Sequence, residues 1–454
     1  MKGNSHILFI AIIILMALST GCAQTTPTQA VPTAVVPTAV VPTAVVPTAV
    51  VPTDTSVPPE EVTLNVWFLS QSPEEIKLME TFAEKFSTNH PGVKVVLTPY
   101  GYDDFIKTMK LALDSGTGPD VAYSATGGLG HLAYAEAGYL VELTDIVKER
   151  GWDQRQSMDS IMYWQKELGG PIYGIPFDTT TIGVYYNKDK FNELGLKVPQ
   201  TWEDFQSLLA TVKSQGLVPF SAGSLDGWPF LHYYYAILHC NTPIGNIEAI
   251  NYGKPEGNFL APDFVESATL LEDWVKKGYF QDGFQGASYD DQNNLFLSRE
   301  TLMNIGGTWN NSTYIQQADF NVGFFPVPKI KSDIEWHSVK SPNNVWIVSK
   351  FSTNQELAID YIDYMLSEEV ALGLWNSGDI PTYNFATLPE PIDPLQLDVY
   401  NVTQETGIGY FYTSNLPETT AVETPSFQKL ADGSFTPEQT LAAMQEAYLK
   451  DTAK

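Results

Sequence analysis

The chain has 454 residues, with 53 acidic against 25 basic side chains, so its net charge at pH 7 is −28. A surface this acidic repels nucleic acid and anionic lipid headgroups, which excludes nucleic acid as a partner. Only two cysteines occur, Cys22 and Cys240, so no disulfide framework is expected. A chain of this length is too long to fold around a single hydrophobic core, so two lobes are expected.

The N-terminus has the pattern of a secretory signal. Residues 7–18 are uniformly apolar and follow a single cation, Lys2. Such a run is too short to cross a bilayer as a permanent helix, so residues 1–21 are interpreted as a signal peptide. The small residues before Cys22 resemble a bacterial lipobox, in which the cysteine is lipid-modified and becomes the mature N-terminus. Ser19 stands where such motifs usually have leucine, and cleavage elsewhere with an unmodified Cys22 is the alternative.

A repeat follows the cysteine. The pentapeptide VPTAV occurs four times from Val31 to Val50. Proline at every fifth position removes backbone donors and disfavours helix, while Val and Thr favour extended backbone. Residues 22–59 are therefore predicted to be the lipidated cysteine and a linker that spans up to roughly 100 Å in polyproline conformation.

Strand and helix patterns alternate from Val62 onward. Ser72 and Glu75 have capping-box spacing around Pro73, which suits the first position of a helix. This spacing favours an α/β fold with a mainly parallel sheet and helices on both faces. The predicted strands are 62–68, 93–98, 121–124, 181–187, 301–307 and 343–349. One predicted helix begins at 73, a second covers 103–114 and a third ends at Gly138. The other predicted helices cover 201–215, 354–367 and 437–449.

Patterns of known catalytic chemistry are missing from the sequence. There is no G-x-S-x-G elbow, phosphate-binding loop, H-E-x-x-H motif or paired C-x-x-C. His232 and His239 lie two helical turns apart without an acidic ligand nearby, so a metal site there is the weaker interpretation. Cys240 is interpreted as a buried apolar filler. The adjacent acids at 103–104 and 290–291 are interpreted as solvated or helix-start charges. No cofactor, metal or catalytic activity is therefore expected.

Arginine is scarce, whereas aromatic residues are frequent. Only three arginines occur in the whole chain, although arginine is the residue best suited to clamp carboxylate or phosphate. Aromatic residues make up 12% of the chain. Trp228, Trp309 and Trp375 lie beside Gly, Pro or Asn, as suits a site that stacks on sugar rings. Trp309 is assigned to a site, whereas core packing is the favoured role of Trp375.

The order of segments resembles the extracellular solute-binding proteins of ABC sugar importers, the group that includes maltose-binding protein. The resemblance covers nearly everything from Val62 to about Tyr383. It is carried by "KFSTNHPGVKVVLTPYGYDDFIKTMKLALDSGTGPDVAYS", "YAEAGYLVELTD", "GGPIYGIPFDTTTIGVYYNKDKFNELGL", "PQTWEDFQSLLATVKSQGLVPFS", "FLSRETLMNIGGTWN" and "NNVWIVSKFSTNQELAIDYIDYMLS".

This resemblance implies a two-lobed periplasmic-binding-protein-like fold, with a hinge and a ligand cleft between the lobes. The N-terminal lobe would comprise residues 60–178 plus 345–388, and the C-terminal lobe residues 179–344 plus 389–454. Ligand binding would favour the closed state because the ligand contacts both lobes. A permease would then recognise the closed conformation.

The resemblance also implies the ligand-binding residues. The loop after the third strand departs from the maltose binder, which has Trp, Asp and Arg where this chain has Ser124, Gly127 and Gly128. The backbone amides of residues 125–128 are expected to contact ligand instead, and Asp120 is expected to fix its loop. The residues implied are Trp309, Trp228, Ser70, Gln71, Asp178, Thr179, Thr180, Ser124, Gly127 and Gly128.

The main hypothesis is therefore a monomeric receptor, lipid-anchored through Cys22 on the outer face of a bacterial cell membrane. It would bind a neutral mono- or oligosaccharide and deliver it to an ABC permease. A secreted glycoside hydrolase is one alternative, but it needs two carboxyls that flank a scissile bond, and no such pair is identifiable from the sequence. A ligand-sensing partner of a membrane receptor kinase is another.

Overall fold

The computed structural model describes residues 61–70, 72–165, 170–411 and 416–453. In these residues strands and helices alternate along the chain, and the strands form two sheets. The predicted signal peptide, Cys22 and the repeat linker lie outside these residues.

The strands of the described residues are β1 (Val62–Leu69), β2 (Val93–Tyr100), β3 (Val121–Ser124), β4 (Asp178–Asn187), β5 (Val218–Ser221), β6 (Thr301–Gly307), β7 (Val322–Phe325), β8 (His337–Pro342), β9 (Val345–Val348), β10 (Ile380–Pro381) and β11 (Gly407–Gly409). The α-helices are α1 (Pro73–Asn89), α2 (Tyr102–Ser115), α3 (His131–Glu136), α4 (Thr144–Glu149), α5 (Trp152–Arg155), α6 (Met158–Gln165), α7 (Lys188–Leu194), α8 (Trp202–Ser214), α9 (Trp228–Asn241), α10 (Ile244–Asn251), α11 (Pro262–Lys276), α12 (Tyr289–Leu297), α13 (Asn311–Gln317), α14 (Gln355–Met365), α15 (Glu368–Ser377), α16 (Pro394–Glu405), α17 (Pro417–Ala431) and α18 (Pro437–Thr452).

The first sheet has the strand order β2-β1-β3-β9. β1 is parallel to β2 and β3, and β9 runs antiparallel to β3. Alternate residues of β1, such as Leu64 and Val66, point into a core that also buries Phe82 and Phe86 of α1. This alternation follows from the two-residue period of a strand, and it fixes the face against which α1 packs.

The second sheet has the strand order β11-β8-β4-β6-β5, and β7 and β10 also pair with β4. β4 is antiparallel to β6, β7, β8 and β10. The prediction of a mainly parallel sheet therefore holds for the first sheet and is wrong for the second. Strand–helix alternation predicts parallel pairing only when one helix crosses back between neighbouring strands. Here β4 is the central strand, and several helices separate it from β6.

The chain passes between the two sheets at three places: at the start of β4, between β8 and β9, and at β10. β4 begins at Asp178, directly after the first-sheet core residue Phe177. The chain returns between β8 of the second sheet and β9 of the first. β10 then pairs with the start of β4, where Ile380 lies opposite Thr179. The exact lobe boundaries remain a prediction.

Two local predictions need correction. The helix expected to reach Gly138 is a 3₁₀ turn, Gly127–Leu129, followed by the six-residue helix α3, because glycines interrupt the segment. At α1, Ser72 is the N-cap and accepts from the amide of Glu75, but the capping box is not closed. The Ser72 amide donates to the Ser70 hydroxyl instead, which leaves the Glu75 carboxylate free for another contact.

Candidate functional site

Four aromatic side chains meet beside the second sheet. Trp228 begins α9, and its ring centroid lies 4.6 Å from that of Tyr289 and 6.2 Å from that of Trp309. The His232 ring lies 5.3 Å from both indoles. The indole nitrogen of Trp309 donates to the Tyr289 hydroxyl at 2.8 Å. These residues form the aromatic cluster: Trp228, His232, Tyr289 and Trp309.

Glycine at the end of β6 makes room for the Trp309 ring. A Cβ atom on Gly307 would lie 2.1 Å from the indole, far inside van der Waals contact. Both Trp228 and Trp309 stay partly exposed, although neighbouring side chains of the cluster are in contact with them. A partly exposed indole that is held by a hydrogen bond offers a fixed flat surface to a ligand.

Polar contacts tie the turn that carries Trp309 to other elements. The Tyr289 hydroxyl donates to Asn310 Oδ1, and the Nδ2 atom of the buried Asn310 has no partner in the described part of the chain. Asn311 Nδ2 donates to the carbonyl of Gly378 at 2.9 Å. This bond places Asp379 next to the Trp309 turn.

The predicted residues at the first sheet have different roles. Ser70, at the end of β1, is buried and donates to Glu75 Oε2 at 2.6 Å. Ser124 is also buried, but its hydroxyl donates to the adjacent Ala125 carbonyl at 3.1 Å. Gln71 lies outside the described residues. Ser70 therefore belongs to a larger side-chain network, whereas the Ser124 hydroxyl is satisfied by its own loop.

The glycine-rich loop after β3 is folded closely onto itself. Gly127 and Gly128 lie in its 3₁₀ turn. A Cβ atom on Gly130 would lie 2.1 Å from the Ala125 carbonyl oxygen, so only glycine allows this approach. The Thr126 hydroxyl lies 3.4 Å from the carbonyl of Asn343, which places the loop beside the β8–β9 crossing.

The predicted residues at the start of β4 contact elements of both sheets. Asp178 is buried and accepts from the Tyr123 hydroxyl of β3 and, at 3.1 Å, from Asn343 Nδ2. The hydroxyls of Thr180 and Thr308 lie 3.4 Å apart, next to Trp309. Thr179 is partly exposed and pairs with β8 and β10.

Three carboxyl groups are close together at this crossing, and we call Glu75, Asp178 and Asp379 the acid cluster. Burial raises the pKa of Glu75 to about 8, with Asp379 and Asp178 adding to the shift against the Ser70 hydrogen bond. Burial and then Asp178 raise the pKa of Asp379 to about 7. Burial raises the pKa of Asp178 to about 6, although bonds from Tyr123 and Asn343 oppose it.

The acid cluster and the aromatic cluster adjoin each other at Tyr185. The Tyr185 hydroxyl lies 3.1 Å from the Gly307 carbonyl and 2.6 Å from Asn311 Oδ1. Burial raises the pKa of Tyr185 well above its usual value, and the nearby Tyr289 and Asp379 add to the shift. The predicted Trp228, Trp309, Thr180, Asp178 and Ser70 are thus brought into one region.

Sequence reasoning missed four side chains of this region: His232 and Tyr289 as aromatic partners, and Glu75 and Asp379 as acids. The capping-box spacing assigns Glu75 to the helix cap and gives no indication of its contact with Ser70. Tyr289 and Asp379 carry no local signal, since their partners are distant in the sequence. His232 had one usable signal, its position one helical turn after Trp228.

Predictions made for residues outside this region are confirmed. Trp375 is fully buried, as expected for core packing. Cys240 is buried, and burial raises the pKa of its thiol to about 12. Asp120 accepts from the Asn65 amide at 2.8 Å and from the Ser352 hydroxyl, so it fixes its loop. Asp291 closes a capping box with Ser288 at the start of α12.

Neither a metal-binding group of His, Cys, Asp and Glu nor a helix long and apolar enough to span a bilayer occurs in residues 61–70, 72–165, 170–411 and 416–453.

Two sheets joined by crossing strands, with aromatic and polar groups gathered at the crossing, define a two-lobed α/β protein that binds a small ligand. The chain belongs to the bacterial extracellular solute-binding protein family, whose model matches residues 71–372. This family consists of binding proteins rather than enzymes.

Two relatives support this assignment. The multiple sugar-binding protein of Streptococcus mutans is 26% identical over 281 residues, which cover 60% of this chain and 64% of that protein. The chain thus spans slightly less than two thirds of that relative. The sn-glycerol-3-phosphate-binding periplasmic protein UgpB of Escherichia coli K12 is 24% identical over 328 residues, 69% of this chain and 72% of that protein.

Solved structures share the fold. A chitin oligosaccharide binding protein aligns with a TM-score of 0.79 and 22% identity, over 87% of this chain and all of that chain. RafE in complex with raffinose aligns with a TM-score of 0.72 and 21% identity, over 86% of this chain and all of that chain. The predicted fold class is confirmed.

Proposed function

We propose that this protein captures a carbohydrate outside the cell and delivers it to an ABC permease. The observation that carries the proposal is the partly exposed aromatic cluster, which adjoins buried hydroxyl groups and the carboxyl groups of the acid cluster. Sugar rings offer apolar faces for stacking and hydroxyls that need donors and acceptors. The names of the relatives agree, since several are sugar-binding proteins.

The proposed ligand carries no anionic group. UgpB is named for a phosphate ester, and such a ligand calls for a cation in the site. The three arginines of this chain are paired elsewhere: Arg150 with Asp360, Arg155 with Asp363 and Arg299 with Asp319. The carboxyl groups of the acid cluster would repel phosphate.

The proposed contacts divide between stacking and hydrogen bonding. Trp309 and Trp228 would stack on the sugar, and the loop of Gly127 and Gly128 would offer backbone amides. To the residues named from the sequence, including Gln71, we add four; Ser124 would contact the ligand through its backbone, because its hydroxyl is bound within its own loop. The full proposed set is Trp309, Trp228, Ser70, Gln71, Asp178, Thr179, Thr180, Ser124, Gly127 and Gly128, with Glu75, His232, Tyr289 and Asp379.

The mechanism proposed is closure of two lobes on the ligand. The lobes would be residues 60–178 plus 345–388 and residues 179–344 plus 389–454. Ser70 and Glu75 lie on first-sheet elements and Trp309 on the second sheet, so a sugar that contacts both favours the closed state. We propose a monomer that is held at the cell surface through a lipidated Cys22.

A thermal-shift screen against mono- and oligosaccharides tests the function, because a ligand that binds the folded state raises the melting temperature by mass action. We expect at least one sugar to stabilise the protein and glycerol 3-phosphate to have no effect. If no sugar raises the melting temperature and glycerol 3-phosphate does, the proposal is wrong.

Two further measurements test the remaining proposals. We expect no release of chromophore from aryl-glycosides, because the protein would bind its ligand without cleaving a bond. Mass spectrometry of the native protein should find a lipid on Cys22. An unmodified N-terminus would remove the anchor while leaving sugar binding untouched.

A further inference from the structure

The acid cluster has no cationic partner among the described residues. Salt bridges occur along much of the described chain, yet none of them includes Glu75, Asp178 or Asp379. Asp178 is buried, whereas Glu75 and Asp379 are partly exposed, and acids this close together without a counter-charge disfavour one another's ionised form. Their side-chain donors among the described residues are neutral groups, Ser70, Tyr123, Asn343 and Ser377, so a cationic ligand would meet no competing counter-charge.

A buried hydroxyl with no partner faces the same region. Ser341 of β8 is 2% exposed, and its Oγ atom makes no hydrogen bond in the described part of the chain. It lies directly opposite Thr180 of β4, and paired residues of neighbouring strands point to the same face. Asp178 shares that face with Thr180, because alternate residues of a strand point the same way.

Asn343, two residues after Ser341 and directly after the end of β8, donates to Asp178 at 3.1 Å, which places the end of β8 beside Asp178. The unpartnered hydroxyl is thus directed to the side of the crossing that carries Asp178 and Thr180. Since the Thr180 hydroxyl adjoins Thr308, next to Trp309, this face also adjoins the aromatic cluster. An unpaired polar group at this position is one that a ligand would satisfy.

We propose that the site prefers an amino sugar, with a protonated amine held by Glu75, Asp178 and Asp379 while a neighbouring face of the ligand stacks on the aromatic cluster. This inference rests on the proposed function and names the chemical class of sugar within it. An ammonium group has three donors and no acceptor, which suits a group of carboxyl oxygens. The ligand hydroxyl next to the amine would reach Ser341.

The charge of the whole chain acts in the same direction. A net charge of −28 attracts a cationic ligand and repels an anionic one. The aromatic faces add to this preference, since a cation is also attracted to the faces of indole and phenol rings. Neutral sugars still bind, with lower affinity, through stacking and hydroxyl contacts.

Binding of the amine should release protons. The titratable groups that face Glu75 are Asp379, Asp178 and the phenol of Tyr123. Because the raised pKa values of Glu75 and Asp379 keep these acids partly protonated near neutral pH, a cation beside them would lower both values and ionise them. Affinity for the amine should therefore increase from pH 5 to pH 7.

Isothermal titration calorimetry with matched sugars tests the inference. Cellobiose, chitobiose and deacetylated chitobiose share one linkage and differ only in the C2 group, which is a hydroxyl, an acetamide or an amine. Glucose with glucosamine, galactose with galactosamine and mannose with mannosamine extend the comparison. In at least one set, the amine should bind about tenfold tighter at pH 6.5, as expected of a charge-assisted bond.

Variants locate the effect. Glu75→Gln and, independently, Asp379→Asn should each bring the ratio of amine affinity to hydroxyl-sugar affinity to within about threefold of one, and this ratio is the readout even where affinity for both sugars falls. Glu84→Gln is the matched control: it removes the same charge from an exposed position on the same helix and should change neither affinity. Titration in two buffers of different ionisation enthalpy should report proton release for the amine only.

The outcomes separate this inference from the proposed function. If neutral sugars bind and no amine binds more tightly than its counterpart, the amine preference is wrong and the sugar receptor stands. Retention of the advantage in both Glu75→Gln and Asp379→Asn also overturns it. If no sugar of either kind binds, the proposed function fails and the inference fails with it.

Discussion

The aromatic cluster and the acid cluster adjoin each other but differ in how they are built. The aromatic cluster comes from three short segments of the second-sheet region, around 228–232, 289 and 309. The acid cluster takes one residue each from α1, the start of β4 and the segment before β10. The first is anchored on one sheet, whereas the second depends on how elements of both sheets meet. We therefore expect stacking to be robust and the acid contacts to respond to pH and to domain closure.

The largest expected loss of sugar affinity comes from a substitution in the aromatic cluster. Trp309→Ala should weaken sugar binding on the order of tenfold to a hundredfold, because a stacked indole contributes about 1 to 3 kcal/mol. Calorimetry with the best sugar of the screen measures the change. Trp309→Phe keeps a flat ring and should retain most of the affinity, and unchanged affinity in the alanine variant would remove Trp309 from the site.

The next effect comes from displacing the indole without deleting it. Gly307→Ala places a methyl group where the Trp309 ring lies, so the ring must move. We expect a loss of affinity of about fivefold to tenfold and a destabilisation of about 1 to 3 kcal/mol, as for an overpacked site. Gly286→Ala is the control, since nothing lies within 4 Å of its added methyl. Equal behaviour of the two variants would contradict the contact between Gly307 and Trp309.

On the acid side, stability without ligand should depend on pH. The pKa of Glu75 is raised from 4.5 to about 8 in the folded protein, so the folded state holds a proton that the unfolded chain has lost. Stability from this group is present below pH 4.5 and is lost as the pH rises toward 8. Asp379 acts in the same direction up to about pH 7.

Melting temperatures between pH 5 and pH 8 measure this dependence. The difference in melting temperature between Glu75→Gln and the unmodified protein should shift in favour of the variant, by on the order of a few degrees, as the pH rises. Glu84→Gln should show the same pH dependence as the unmodified protein. A constant difference for Glu75→Gln would mean that this carboxyl is not held in a protonated state.

The smallest effect is expected at Ser124. Its hydroxyl is buried and donates to the neighbouring Ala125 carbonyl, so Ser124→Ala should change sugar affinity by less than about twofold. A tenfold loss in calorimetry would show that this side chain leaves its loop contact to bind ligand.

The contrast between the clusters also explains what the sequence predicts. Trp228 and Trp309 could be named because exposed tryptophans beside Gly and Pro have a local signature. Alternation predicts strands such as β6, and helical spacing predicts helices such as α8. These signals depend on residues that are neighbours in the chain.

The remaining features depend on long-range packing. Asp379 joins Glu75 only because β10 pairs with the start of β4, and no local pattern encodes that pairing. The antiparallel neighbours of β4 were missed for the same reason, since strand direction is set by the path of the chain. Tyr289 reaches Trp309 through a hydrogen bond between segments that sequence spacing does not connect.

Hydrogen–deuterium exchange with a saturating sugar tests the central claim most directly, that both clusters hold one ligand. Peptides that cover residues 70–76 and 305–311 should both exchange more slowly when the sugar is bound, because one ligand would contact α1 and the Trp309 turn together. Protection of residues 305–311 with no change at 70–76 would contradict the account.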